Sequence, residues 1–362
     1  MGQLAAEELA ELKARNIHPG YRGLHFEADP ASLYRINYGS RYLTRVLAPL
    51  ITFHCHTHDY LYRRAKQVEW SDFFTPEHSF AVFANVSNSR IHHSHFAALR
   101  LKDAVADYFR EKFDRRPAVQ KGDPDVWINL YVENNRATLS MDTSGGSLHR
   151  RGYRVETLPA VMQETLAAAV LRLTSWDGSS PLYDPMCGSG TFLCEALMLY
   201  CRLPSAFLRK RFGFEFLPDY DPLLWNDVKE EADRAIRPLP RGLIAGSDLS
   251  QRAVGVSRVN LGRLPQGSGV EVITRDFRKL PGLQNTTIVC DPPYGIRLRG
   301  KEDPEGLYRA FGDFLKRRCK GSAAFIYFGN REFIPFVGLK PSWKVPLSAG
   351  GLDGRLVKYE LY

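Results

Sequence analysis

Apolar positions follow different rhythms on either side of residue 155. Upstream, short alternating runs mix with amphipathic stretches. Gln3–Lys13 places Leu4, Leu9 and Leu12 on one helical face, and Pro19-Gly20 is expected to close that helix. Gly23–Glu27 alternates as a short strand, and Asp29-Pro30 opens a second helix through Leu33 and Ile36. Tyr42–Phe53 then reads as a strand and Tyr60–Gln67 as a helix. Ser79–Val86 predicts another strand, and His95–Phe113 a helix whose apolar stripe is Phe96, Leu99, Val105, Ala106 and Phe109. Asp125–Val132 and Arg136–Asp142 pair across Asn134-Asn135, a hairpin turn signal. Elements of this size suit small α+β units.

Downstream, a helix is expected from Pro159 through Leu166 and Val170 to Leu173. After Trp176–Ser180 strands alternate with helices to the end. The strands are Pro181–Asp184, Leu243–Asp248, Val270–Asp276, Thr286–Cys290 and Ser322–Phe328. The helix Leu307–Cys319 would turn Leu307, Phe311, Phe314 and Leu315 inward. Trp343–Leu347 and Leu356–Tyr362 read as a closing antiparallel pair around Gly350-Gly351. Three units are expected: 1–68, 69–154 and an α/β Rossmann-like domain over 155–362.

Composition adds little beyond charge. The 362 residues are 44% hydrophobic and 25% charged, as in an ordinary globular protein. A net charge of +9 admits either a generally basic surface or a polyanionic partner. Six cysteines form no CxxC pair, which points to a reducing cytoplasm rather than a disulfide framework. No apolar run approaches a membrane span, and the N-terminus carries no secretory pattern. His54, His56 and His58 would share a strand face, but no carboxylate or cysteine cluster completes a metal site, so none is expected.

Candidate chemistry gathers at strand ends. Asp291-Pro292-Pro293-Tyr294-Gly295 follows the β-branched run Thr286–Cys290. Two prolines cannot continue a ladder, so the strand stops at Asp291, where open α/β sheets bind ligands. The Asp291 carboxylate, the Pro292 carbonyl and the Tyr294 ring then offer acceptors beside a flat face. That suits a planar base with an exocyclic amino group. A second anchor is Asp184-Pro185-Met186-Cys187-Gly188-Ser189-Gly190-Thr191. Gly188 and Gly190 permit close approach at a helix start. The GK[ST] ending of a phosphate loop is absent, and Leu193 stands where a dinucleotide site needs its third glycine. A ligand with a carboxylate and an amine remains, with Asp184 for the amine. Asp248 would suit a ribose diol, and Asp276 an adenine amino group with Phe277 against the ring. The stretch 144–154 is glycine-rich, basic and aromatic, and reads as a phosphate-contacting surface carrying Arg150, Arg151 and Arg154. Ile296–Lys301, with Arg297, and Arg209–Arg211 admit either RNA contact or a solvated surface.

In this order the motifs resemble an S-adenosylmethionine-dependent class I methyltransferase acting on an exocyclic amino group. Asp184–Phe192 resembles its first motif, Asp248 its ribose acid, Asp276 its adenine acid, and Asp291–Tyr294 its [N/D]PPY catalytic motif. Residues 144–154 with Asp184–Thr191 resemble more narrowly the THUMP-containing guanine N2-methyltransferases of structured RNA, above all the N-terminal half of the bifunctional large-subunit rRNA enzymes. The resemblance implies an N-terminal ferredoxin-like module, a THUMP RNA-binding domain near 69–154, S-adenosylmethionine as cofactor, and large-subunit (23S) rRNA as partner. Transfer RNA is the alternative, and a DNA N6-adenine methyltransferase the remoter one. Such relatives open with a strand before the first helix, so the expectation is either a first module without that edge strand or a start that is internal to a longer chain. The bifunctional relatives carry a second methyltransferase half, whose activity is not expected from a chain ending at Tyr362.

Overall fold

The computed structural model describes every residue except 21–22, 295–302 and 348–352. Its first unit holds α1 (Gly2–Glu11), the hairpin strands β1 (Arg15–Gly20) and β2 (Gly23–Glu27), and α2 (Pro30–Gly39). Asp29 caps α2 by accepting from the Ser32 amide at 2.8 Å. Pro19-Gly20 does not close α1. The chain already turns at Lys13 (φ 72°), and Pro19 pairs with Leu24 in a two-stranded ribbon, where a missing N–H is tolerated.

A five-stranded sheet follows, in the order β3-β7-β6-β4-β5. Its strands are β3 (Leu47–His54), β4 (Ser79–Ser87), β5 (Ala118–Val119), β6 (Val126–Glu133) and β7 (Arg136–Asp142). β3 lies antiparallel along β7, which carries residues 47–54 into this sheet, across the boundary expected at 68. Strand geometry starts only at Leu47, because the Arg41 and Tyr42 amides bond the Glu8 carboxylate instead of a ladder. Asn134 and Asn135 both take positive φ (48° and 59°), as the hairpin turn between β6 and β7 requires. On α4 (Ser94–Phe113) the buried stripe is Ala97, Leu101, Ala104, Val105, Tyr108 and Phe109. Phe96 and Leu99 point outward, 48% and 37% exposed, so the stripe lies one position round from the one expected. The three histidines share no strand face. β3 ends at His54, and His58 begins α3 (His58–Lys66), which Thr57 caps. Among the described residues no three His, Cys, Asp or Glu side chains gather as a metal site.

The last sheet has seven strands in the order β10-β9-β8-β11-β12-β14-β13. These are β8 (Leu182–Asp184), β9 (Ile244–Asp248), β10 (Glu271–Thr274), β11 (Thr287–Cys290), β12 (Ala323–Phe328), β13 (Trp343–Pro346) and β14 (Arg355–Glu360). The first five in spatial order are parallel; β14 and β13 close the sheet antiparallel. Successive strands run outward from β8 to β10, and β11 then returns to the other side of β8. That reversal opens a crevice beyond the carboxyl ends of β8 and β11. Helices α5 (Glu164–Thr174), α6 (Thr191–Tyr200), α7 (Pro222–Arg234), α8 (Gln251–Leu261) and α9 (Pro304–Arg318) complete the domain. Leu307, Phe311, Phe314 and Leu315 of α9 are buried, as its periodicity predicts. α5 begins five residues later than Pro159, because the chain turns at 159–160, where Ala160 takes φ 54°. All six cysteines are buried free thiols. Among the described residues no helix is long and apolar enough to cross a membrane.

Candidate active site

Four carboxylates meet at the carboxyl edge of the parallel strands. Asp184 ends β8, Asp248 ends β9, Asp276 follows β10 and Asp291 follows β11. All four line one cleft of about 500 Å³, together with Pro185, Gly188, Phe277 and Pro293. The sequence separation between first and last exceeds a hundred residues, so only the sheet brings them together.

The glycine turn shapes one side. Gly188 takes φ 54° and a Cβ there would meet nothing within 4 Å, so the turn leaves open space beside its backbone. Gly190 does not line the cleft. It takes φ 80° as the N-cap of α6, and a Cβ would come 3.1 Å from Ser257 of α8, so its role is the close packing of two helices. Asp184 is buried and accepts from the Met186 amide at 3.1 Å. Burial pushes its carboxyl well above the ordinary range, and the charges of Asp248 and Asp291 push the same way. A cation in the cleft would relieve all three. Asp248 accepts from the Gly188 amide at 2.9 Å and the Ser250 amide at 2.8 Å, one per oxygen. Each carboxylate oxygen keeps a second acceptor site, enough for a pair of hydroxyls. Asp276 also serves as a cap, accepting from the Arg278 amide and guanidinium at 2.9 and 3.0 Å. Phe277 is 3% exposed and stands edge-on to Phe311, so its ring belongs to the core beneath the cleft. An open glycine turn, a buried acid for an amine and an acid for a diol form a donor set that fits S-adenosylmethionine.

Pro292 is buried and Tyr294 half-buried, and neither is among the residues lining the cleft. The Tyr294 ring rests on Gly329, just beyond β12: a Cβ at Gly329 would come 2.0 Å from the Tyr294 Cζ. Gly329→Ala is therefore expected to swing Tyr294 away. Methyl transfer should fall about tenfold while the melting temperature holds, since the ring moves rather than the backbone. Parallel kinetics and thermal melts check this.

Residues 158–162 form a wall that sequence reasoning missed, with Leu158 and Met162 facing the cleft. The helical pattern read from Pro159 concealed them. Leu249 was missed as well; it is 62% exposed at the rim, and an apolar residue directly after a strand-end acid was the available signal.

The basic stretch divides. Arg150 is exposed. Arg151 is not a surface contact: its side chain is fully buried beside Glu195 of α6, and it donates to the Leu148 and Arg41 carbonyls at 2.9 and 2.6 Å. Arg154 is likewise turned inward, toward Glu164 at 2.9 Å. Both guanidiniums are spent on packing, which overturns the phosphate-contact reading for them. Arg209 donates to the carbonyls of Ser144, Gly145 and Ser147, so it organises this stretch from within. Arg211 pairs with Asp125, while Lys210 is exposed. Arg297, Gly295 and the rest of the 296–301 loop lie outside the described residues.

Comparison with known proteins finds three family matches, and the two N-terminal ones meet between residues 47 and 55 rather than at 68. Residues 151–358 match the model of the RMKL-like methyltransferase domain, 55–142 that of the THUMP domain, and 1–47 that of the RlmL ferredoxin-like domain. A relative from Synechocystis sp., named "Putative RNA methyltransferase slr0064", is 37% identical over 99% of this chain and 94% of its own. "Ribosomal RNA large subunit methyltransferase K/L" of Syntrophotalea carbinolica is 35% identical over 99% of this chain but 52% of its own. The chain thus spans about half the length of that K/L relative. A solved structure described as "SMU.472, a putative methyltransferase complexed with SAH" superposes with a TM-score of 0.85 at 25% identity, covering 99% of this chain and 95% of that one.

Proposed function

The chain belongs to the RMKL-like methyltransferase family, with ferredoxin-like and THUMP domains ahead of a class I methyltransferase fold, and from this premise we propose that it methylates the exocyclic N2 amino group of a guanine in structured RNA. Large-subunit rRNA is the proposed substrate, and the cytoplasm the place of action. The observation that carries the reading is that Asp291 and Pro293, directly after β11, line the same cleft as three further strand-end acids.

S-adenosylmethionine supplies a methyl group already activated on a sulfonium. The residues of this chain bind and orient it. Asp184 would take the amine, Asp248 the ribose hydroxyls and Asp276 the adenine amino group. The amino nitrogen of guanine is a weak nucleophile, because its lone pair is delocalised into the ring. Hydrogen bonds from that amino group to the Asp291 carboxylate and the Pro292 carbonyl would hold its hydrogens toward the protein. The lone pair then faces the methyl group. The Asp291 charge opposes the positive charge that grows on the nitrogen. Tyr294 would stack on the base, which must leave its helix to reach the cleft. Positioning supplies most of the acceleration. The units before residue 155 would present the RNA, with Arg150, and Arg297 in the loop after the catalytic motif, on its phosphates.

Transfer of tritium from labelled donor separates the candidate substrates. Large-subunit rRNA from cells lacking the enzyme should accept label in preference to tRNA and duplex DNA. Label confined to tRNA or to DNA would sink the rRNA assignment.

A further inference from the structure

The segment joining the N-terminal half to the methyltransferase domain is also a wall of the cleft. It runs without helix or strand from residue 154 to 163. The Arg154 guanidinium fastens its far end to the glycine turn opposite. Arg154 donates through Nη2 to the Met162 carbonyl at 3.0 Å and to the Thr191 hydroxyl at 3.1 Å. Nη1 lies 3.4 Å from the Ser189 hydroxyl, and Nε donates to Glu164 at 2.9 Å. Met162, Ser189 and Thr191 all line the cleft, so one side chain bonds both of its walls. The pair is shielded from water, with Arg154 and Glu164 side chains 17% and 5% exposed. Asn260 of α8 secures the start of the same segment. It accepts from the Val155 and Glu156 amides and donates to the Glu156 and Ser189 carbonyls, all at 3.1–3.2 Å.

We infer that Arg154 is a positioning residue for the amino-acid end of the methyl donor, setting the spacing between the 158–162 wall and the glycine turn. The inference rests on the donor orientation proposed above, with Asp184 and the glycine turn at the amino-acid end and Asp248 and Asp276 at the adenosine end. A planar fork with several donors can span both walls at once. A lysine keeps the charge but brings one nitrogen, so it cannot bond Glu164 while also holding Met162 and Thr191, contacts that Arg154 divides between Nε and Nη2. Arg154 bonds Met162, Glu164, Ser189 and Thr191 rather than Asp248 or Asp276 at the adenosine end.

The test uses the full chain and two ligands that differ only at the amino-acid end. Calorimetry measures S-adenosylhomocysteine and 5′-methylthioadenosine binding to wild type and Arg154→Lys. The variant should bind S-adenosylhomocysteine about tenfold more weakly, the effect of losing a charge-assisted hydrogen bond. Its affinity for 5′-methylthioadenosine should be unchanged. In turnover the donor KM should rise with kcat at saturation preserved. Equal S-adenosylhomocysteine affinities, or a parallel loss for both ligands, would overturn the inference. If Arg154→Lys does not fold, Glu164→Gln, which loosens the anchor of the same guanidinium, is read in the same assay with the same two outcomes. Failure of the wild type itself to bind S-adenosylhomocysteine would overturn the donor assignment beneath it.

Discussion

Asp291→Ala should lower the rate of methyl transfer by about a thousandfold, the upper range for removing one group aimed at developing charge. Nothing else in the proposed site replaces it: the remaining strand-end acids are assigned to the donor. The strand should survive the change, because β11 is terminated by Pro292 and Pro293 rather than by the acid. Donor affinity should survive too. The Asp291 charge is one of the causes that raise the Asp184 carboxyl, after burial and Asp248. Removing it lowers that pKa toward the ordinary carboxylate value. That direction favours the charged form, which suits an amine beside it. Single-turnover rates with tritiated donor, alongside calorimetry with S-adenosylhomocysteine, separate the two effects. A variant within a factor of ~10 of wild type would remove Asp291 from the chemistry.

Arg151→Ala should cost about 3–5 kcal/mol of stability, the usual consequence of breaking a fully buried ion pair from one side. Arg151 and Glu195 are both wholly excluded from solvent. The lost guanidinium also satisfies two carbonyls, and one of them, Arg41, belongs to the N-terminal unit. Tyr153 donates to the same Glu195 carboxylate at 3.0 Å, so the network is shared. Left with Tyr153 and the nearby Arg41, Glu195 would be an under-compensated buried charge. The double variant Arg151→Met, Glu195→Leu should recover much of the loss, since replacing both partners removes both desolvation penalties. Urea unfolding followed by circular dichroism measures this. A single variant as stable as wild type would show that the buried pair does not join the N-terminal half to α6.

The strand-end acids were legible in the sequence because each is a local signal: a short strand-like run, then Asp, then a turn. The glycine pair at 188 and 190 was legible for the same reason. What sequence could not assign was which glycine faces the cleft and which packs on Ser257, since that depends on a helix some seventy residues away. Arg151 and Arg154 looked like phosphate contacts because a basic, glycine-rich stretch with no periodicity usually faces water. Their partners, Glu195, Arg41 and Thr191, are distant in the chain, so burial was invisible. On α4 two stripes share Val105 and Phe109, and only packing against the sheet selects the one through Ala97 and Leu101. The wall at 158–162 was hidden by a helical pattern that tertiary hydrogen bonds override.

The catalytic motif alone would fit any planar amine. The most direct test of the guanine N2 claim is mass spectrometry of nucleosides from large-subunit rRNA incubated with the enzyme and a donor bearing a deuterated methyl group. The expected result is deuterium in N2-methylguanosine, absent when Asp291→Ala replaces the wild type. Deuterium in N6-methyladenosine or another nucleoside, with none in N2-methylguanosine, would contradict it.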